Sequence, residues 1–275
     1  MRIDIPEGIT IEAYQKKIPF LTNKKDEVVG KRRGARGQGY IPTTTFMCPT
    51  SDHIDYLLNL AEEIVSKYKI DIFIADYIRY DGAFTDLCAC ERCQSLFREK
   101  YGNKPTILKS SQWYDFKEEN IANYAQKLHD RIKSIDQNCI TGCTLLPGPK
   151  KLFTRKRIAQ NWTKLSTILD IVSPMQYPYL IGTHDHGWFW GKLADLAYWY
   201  FIRNMKKRIH EIKSPALTIT NSVECNSEEM LKQMRGFDFG LGIALFKYFG
   251  TTESQWTALK KYAEEELGLE NLKPN

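Results

Sequence analysis

Two groups of residues in this 275-residue chain have types and spacings that could do chemistry. The first is Cys88, Cys90 and Cys93, in the run Asp86-Leu-Cys-Ala-Cys-Glu-Arg-Cys93. Thiols this close cannot pair as disulfides in ordinary geometry. A C-x-C-x-x-C run can, however, curl so that its three sulfurs face one tetrahedral metal ion, and a structural zinc takes four such ligands. The fourth must come from elsewhere. Cys48 is the best candidate, because it lies at the predicted end of the strand preceding the one that leads into the cluster. Cys225 is a weaker candidate, and Cys139 and Cys143 fall on a predicted strand and read as core. Four thiolates leave no open position for water, so the expected zinc is structural and does no chemistry itself.

The second group is carboxylate. The run Asp71-Ile-Phe-Ile-Ala-Asp-Tyr-Ile-Arg-Tyr-Asp81 reads as a strand buried on both sides and ending at Asp76, where a charge must have a reason. Arg79 could pair with Asp76 or with Asp81. An Arg-paired Asp76 would stay ionised and suit a nucleophile, whereas one set against Tyr77 and Trp side chains would suit a general acid. The plain structural alternative is an Asp–Arg pair that holds a strand end. Further on, Pro178-Tyr-Leu-Ile-Gly-Thr-His-Asp-His-Gly-Trp-Phe-Trp190 follows another predicted strand end. There Trp188 and Trp190 offer flat stacking surfaces. His184 and His186, together with Gln176 and Tyr177, could bond hydroxyl groups, and Asp81 and Asp185 are reserve carboxylates. A second metal at His184-Asp185-His186 is outweighed by ordinary loop polarity.

The elements that must position these residues alternate from residue 40 onward. Strand patterns cover Tyr40 to Met47, Ile70 to Ile78, Cys139 to Leu146, Asp170 to Tyr177, Ala216 to Thr220 and Leu241 to Phe246. Helical patterns lie between them. One carries Ile54, Leu57, Leu58, Ala61, Ile64 and Val65 on one face after a cap at Thr50 or Ser51. Others cover Gln94 to Tyr101, Trp113 to Ile135, Ile158 to Leu169, Leu193 to Ile212, Ser227 to Arg235 and Thr252 to Leu267. The stripe Tyr198, Trp199, Phe201 reads as core packing. Six strands separated by helices predict parallel βαβ units. The first choice is an α/β fold of the (β/α)8 TIM-barrel type, incomplete at its N-terminus; a doubly wound open sheet is second. Residues 1–39 are too short and too polar to supply two missing units, and read as a polar segment or extended loop. Residues 40–268 form the expected barrel domain, with 269–275 as a tail.

Bulk properties narrow the partners. The net charge of +6 comes partly from Lys31-Arg-Arg-Gly-Ala-Arg36, which reads as a solvated loop, so a nucleic-acid partner is disfavoured. The Met1–Glu7 start lacks a signal peptide's apolar run, and no stretch nears the roughly 18 apolar residues of a membrane span. With seven cysteines and no disulfide framework implied, these features lead us to expect a cytoplasmic protein.

Taken together, the motifs resemble known families. Cys48-Pro-Thr-Ser51, followed by Cys88-x-Cys90-x-x-Cys93 and Phe97, resembles the zinc clamp of glycoside hydrolase family 42 β-galactosidases. In that family the clamp follows strand four of a TIM barrel, just after the acid/base carboxylate. Ala75-Asp-Tyr-Ile-Arg-Tyr80 is similar to the D-Y-I-R-Y-P motif of glycoside hydrolase-like TIM barrels, with Asp81 in place of the proline. Ser173-Pro-Met-Gln-Tyr-Pro178 and Gly240-Leu-Gly-Ile-Ala-Leu-Phe-Lys-Tyr-Phe-Gly250 are similar to later segments of the same proteins. The family-42 Asn-Glu pair is absent, and Asp76 is nearest its position. The resemblance implies a TIM barrel with a structural zinc, a carbohydrate substrate and hydrolysis by two carboxylates. It also implies a nucleophile just past strand seven, where Glu224 stands; Glu224 reads equally as a solvated residue before the helix start at Ser227. The expected function is a glycoside hydrolase using Asp76 and Glu224. The alternatives are a non-catalytic carbohydrate-binding barrel and, more distantly, a zinc-containing nucleic-acid-binding protein.

Overall fold

A computed structural model describes residues 29–33, 40–80, 88, 90–102, 110–146, 150–176, 200, 203, 208–214, 216–221, 227–228, 231, 240–246 and 251–266. The chain divides into two compact units. One comprises residues 1–144 and 149–171, the other residues 145–148 and 172–275.

In the first unit, β1 (Val29–Arg33) pairs with β2 (Tyr40–Met47). The pairing is antiparallel, with Arg32 opposite Ile41 and Arg33 opposite Tyr40. Two expectations are corrected here. The β-rich run at Tyr40 forms a hairpin-type pair and not a strand of a parallel set, because a partner lies just before it in sequence. Lys31 to Arg33 accordingly belong to a strand and not to a solvated loop.

Helix α1 (His53–Lys67) buries Ile54, Leu58, Ala61 and Val65, the face set by their 3.6-residue spacing. Its N-cap is Asp52, not Thr50 or Ser51, because the Ser51 hydroxyl is engaged elsewhere: it donates to the Cys48 carbonyl at 2.7 Å. Helix α2 (Glu91–Tyr101) ends at Gly102, whose φ of 89° suits glycine. Helix α3 (Ser111–Ile135) starts where the Ser110 hydroxyl accepts the Trp113 amide at 3.1 Å. It buries a broad stripe that includes Trp113, Phe116, Lys117, Ile121, Leu128 and Ile132. Phe97 of α2 sits 5.3 Å from the Trp113 ring and 5.7 Å edge-on from Phe116. That aromatic contact seats α2, and with it the cysteines at its start.

Strand β3 (Ile72–Ala75) pairs in parallel with β4 (Ile140–Leu145), placing Ala75 opposite Cys143. β4 is buried along nearly its whole length, as a parallel strand covered on both faces should be. β3 is not: Ile72 is 47% exposed and Phe73 to Ala75 are half-buried. Among the described residues β3 has a strand on one side only, so its apolar run overstated its burial. A π-helical segment (Lys150–Ile158) and helix α4 (Trp162–Ile168) follow β4.

In the second unit, β5 (Ile171–Gln176), β6 (Ala216–Asn221) and β7 (Gly240–Phe246) form a three-stranded parallel sheet. Helix α5 (Glu253–Glu266) closes the described chain. Five of the six expected strands therefore exist with parallel pairing. A complete barrel is not shown among the described residues. No described helix is long and apolar enough to cross a membrane.

Candidate active site and metal centre

The four predicted ligands converge. The sulfurs of Cys48, Cys88, Cys90 and Cys93 all lie within 4.8 Å of one another, and all four residues are buried. Cys48 Sγ is 3.6 Å from Cys90 Sγ and 3.4 Å from Cys93 Sγ. Four thiolates at about 2.3 Å from a tetrahedral zinc would stand about 3.8 Å apart, so the cluster is already close to the size such an ion requires. Local sequence explains the placement. Cys90 is the N-cap of α2, and its sulfur accepts the Cys93 amide at 3.5 Å. Cys48 opens a turn whose carbonyl accepts both the Ser51 amide, at 3.1 Å, and the Ser51 hydroxyl. The Asp52–Arg92 ion pair, at 3.0 Å, ties that turn to α2.

The electrostatics are those of a shared negative charge. Hydrogen bonding within the cluster, chiefly from Cys48, holds the Cys90 thiol far below its ordinary range. Cys88 and Cys93 are pushed well above theirs, first by their hydrogen bonds to Cys48 and further by burial. Cys90 therefore ionises before Cys88 and Cys93. A divalent cation reverses that preference, because it lets all four ionise together.

Asp76 lies immediately after β3, at the strand's C-terminal end. Its Oδ1 accepts the Thr144 hydroxyl at 2.5 Å and the Tyr77 amide at 2.7 Å. Thr144 stands near the C-terminal end of the neighbouring parallel strand, so the β3–β4 register is what brings donor and carboxylate together. Oδ2 receives no hydrogen bond among the described residues. Two expectations fail. Asp76 is exposed, not buried, and it does not pair with Arg79. The Arg79 guanidinium instead lies 4.5 Å over the Tyr77 ring. The reason is backbone: Tyr77 has a φ of 58°, a left-handed conformation that turns the chain sharply after Asp76. The Arg79 amide closes this turn onto the Tyr77 carbonyl at 2.7 Å.

Several residues that sequence reasoning missed hold the turn. Gln160 is 1% exposed, and its amide donates to the Ile78 carbonyl at 3.2 Å and the Thr144 carbonyl at 2.9 Å. The Tyr80 amide donates to the Ile158 carbonyl at 2.9 Å. Lys117 is fully buried; its ammonium donates to the Lys156 carbonyl at 2.7 Å and lies 5.3 Å from the Tyr80 ring. Lys117 had a signal, since it sits one helical turn from both Trp113 and Ile121 on the apolar stripe. Tyr80 connects the two centres. Burial pushes its phenol well above the ordinary range, and negative charge on Cys93, Cys48 and Cys88 adds to the shift. The Asn120 amide is near enough to oppose that shift slightly, yet among the described residues the Tyr80 hydroxyl has no well-formed hydrogen bond.

Of the other expected site residues, Gln176 is on β5, with its side chain outside the described residues. Asp81, Tyr177, His184, Asp185, His186, Trp188, Trp190, Glu224 and Cys225 lie outside the described residues altogether. Cys139 and Cys143 are buried core residues as expected, and burial pushes the Cys143 thiol up to about 12.

Neither a protein-family model nor a curated protein matches this sequence. Solved structures do. A β-galactosidase from the haloarchaeon Halorubrum lacusprofundi aligns over 92% of this chain and 42% of its own, at TM-score 0.58 and 12% identity. A β-galactosidase from Marinomonas ef1 aligns over 92% and 49%, at TM-score 0.58 and 11% identity. A catalytic mutant of the family-42 β-galactosidase Gan42B from G. stearothermophilus aligns over 91% and 42%, at TM-score 0.54 and 13% identity. The likeness is one of fold. These neighbours are TIM-barrel glycosidases, and the chain spans less than half the length of each.

Proposed function

We propose that this chain is a glycoside hydrolase of the TIM-barrel type, with a structural zinc bound by Cys48, Cys88, Cys90 and Cys93. The observation that carries the reading is the Asp76 turn. A carboxylate at the C-terminal end of a parallel strand, exposed and with one oxygen fixed by two donors, is placed where barrel enzymes keep their reacting groups. Its left-handed neighbour Tyr77 stores strain of the kind that clusters at functional sites. The glycosidase fold of the structural neighbours supports the same assignment.

In this reading Asp76 is one of the two carboxyl groups that flank a glycosidic bond, and Glu224, just beyond β6, is the other. Arg79, Asp81, Gln176, Tyr177, His184, Trp188 and Trp190 contact the sugar. Zinc supplies no reacting group. Bound by four thiolates, it neutralises their buried charge and pins the loop after β2 to the start of α2.

The test is turnover of a panel of nitrophenyl glycosides by the wild type, Asp76→Asn and Glu224→Gln. Each substitution is expected to lower kcat/KM by about 100-fold or more, the scale of a lost acid–base or nucleophilic group. Unchanged turnover in both variants would refute the assignment. Glycan binding by the wild type without hydrolysis would replace it with a carbohydrate-binding barrel.

A further inference from the structure

The sulfurs of Cys48 and Cys93 share a neighbour that is not a cysteine. The Thr50 hydroxyl is 3.1 Å from Cys48 Sγ and 3.3 Å from Cys93 Sγ. These cysteines are 45 residues apart in sequence and 3.4 Å apart at sulfur, so Thr50 bridges the two segments that the cluster joins. We propose that Thr50 is a positioning residue for the metal at the four-cysteine site, its hydroxyl holding the Cys48 and Cys93 sulfurs in place before the ion binds and damping their charge afterwards.

Three features support the assignment. The hydroxyl is held by a rigid turn: Pro49 fixes its own φ, and the Cys48 carbonyl accepts both the Ser51 amide and the Ser51 hydroxyl. The turn fixes the Thr50 backbone, and its β-branched side chain has few χ1 rotamers from which to present the hydroxyl. A hydroxyl also carries one proton and two lone pairs. It can accept from one thiol and donate to the other sulfur while the cysteines are protonated, then donate to a thiolate once they are not. It therefore has a bonding role in both states. Third, among the described residues no backbone amide donates to Cys48 Sγ as the Cys93 amide does to Cys90 Sγ, and the Thr50 hydroxyl is the non-cysteine group at that sulfur. Groups that orient metal ligands in this way typically set about 10–100-fold in metal affinity.

The inference rests on the zinc reading above, and the experiment separates the two. Full-length wild type, Thr50→Val and Thr50→Ser are titrated with zinc against a chromophoric chelator, and with cobalt(II) to read the sulfur-to-metal charge-transfer band. The wild type is expected to take one equivalent of either ion. Thr50→Val, which keeps the shape and loses the hydroxyl, should bind about 10–100-fold more weakly and shift the band. Thr50→Ser, which keeps the hydroxyl, should restore both. If Thr50→Val fails to fold, Thr50→Ala takes its place with the same expected loss, and wild-type affinity with an identical band in Thr50→Ala would overturn the role of Thr50. Equal affinity and an identical band in Thr50→Val would overturn the role of Thr50, as would Thr50→Ser binding as weakly as Thr50→Val. A wild type that binds neither ion would overturn the zinc reading itself.

Discussion

Replacing Gln160 with Met tests whether the Asp76 turn is held from behind by one buried amide. Gln160 Nε2 donates to the carbonyls of Ile78 and Thr144, and the residue is almost wholly inside the first unit. Methionine is close to glutamine in length and shape, so the substitution removes the donor with little change in packing. Each lost hydrogen bond leaves a buried carbonyl partly unsatisfied, at about 1–3 kcal/mol. Two such losses, counted at the lower half of that range because a carbonyl has a second lone pair to place, come to about 3 kcal/mol. With an m-value near 3 kcal/mol per M in urea, the midpoint should fall by about 1 M with the slope unchanged. Urea unfolding at neutral pH, followed by circular dichroism and by the fluorescence of the buried Trp113 and Trp162, measures it. The same variant should lose turnover along with Asp76→Asn, since the carbonyl of Thr144 and the turn after Asp76 both lose their anchor. A midpoint within about 0.2 M of wild type, less than about 0.6 kcal/mol at that slope, would show that Gln160 holds nothing.

Thr144→Val removes the 2.5 Å hydrogen bond to Asp76 and keeps the side chain's shape. Because Asp76 is exposed, the loss is nearer about 1 kcal/mol than the upper range for charged partners, or roughly five-fold in kcat/KM if Asp76 reacts; an unchanged kcat/KM argues that the hydroxyl does not orient it. Burial lowers the His53 pKa from 6.5 to about 4, so His53 is neutral in the fold and protonates more readily in the unfolded chain. Its contribution is complete above pH 6.5 and is lost as pH falls toward 4, by roughly 3 kcal/mol in all; His53→Gln should flatten the stability–pH slope in that window, and an unaltered slope refutes the assignment. Gly142→Ala would place a methyl 2.7 Å from Ile171 Cγ1 and 3.3 Å from the Ile171 carbonyl oxygen. Overpacking of this kind costs about 1–3 kcal/mol, and a melting temperature equal to wild type would show that Ile171 simply moves aside.

The four-cysteine cluster was legible because its signal is local and chemical. Three cysteines in six positions restrict the geometry before any fold is known, and Cys48 followed from one assumption about where a strand ends. The assumption about β2 was wrong in its details, since that strand pairs antiparallel with β1, yet Cys48 still sits at the end of β2 and reaches the cluster. Five parallel-paired strands were legible from alternation with helices. The burial of Asp76 was not, because an apolar run of four or five residues reads the same whether a strand has one neighbour or two. The residues that hold Asp76 were beyond sequence reasoning for a different reason. Thr144 is 68 positions from Asp76 and Gln160 is 82 from Ile78, and neither residue type draws attention by itself. Only the β3–β4 register and the return of the chain after the π-helical segment make them neighbours.

The cysteine cluster and the Asp76 turn are linked through the backbone between them. The stretch from Asp76 to Tyr80 has no regular structure of its own, and its left-handed Tyr77 costs about 1–3 kcal/mol. It keeps that shape through bonds from outside: Thr144 at Asp76, Gln160 at Ile78, and the Ile158 carbonyl at Tyr80. The far end of the stretch also meets the cysteine sulfurs, whose charge the buried Tyr80 phenol feels. A metal that neutralised those sulfurs would remove the part of the Tyr80 shift that their charge causes. Loss of the cluster should therefore act on Asp76 through the backbone from Tyr77 to Tyr80, changing its position. In a Cys48→Ser variant this should appear as a fall in kcat/KM with the pH profile of the residual activity unmoved. A shifted profile would instead mean that the sulfurs act on the Asp76 carboxylate directly.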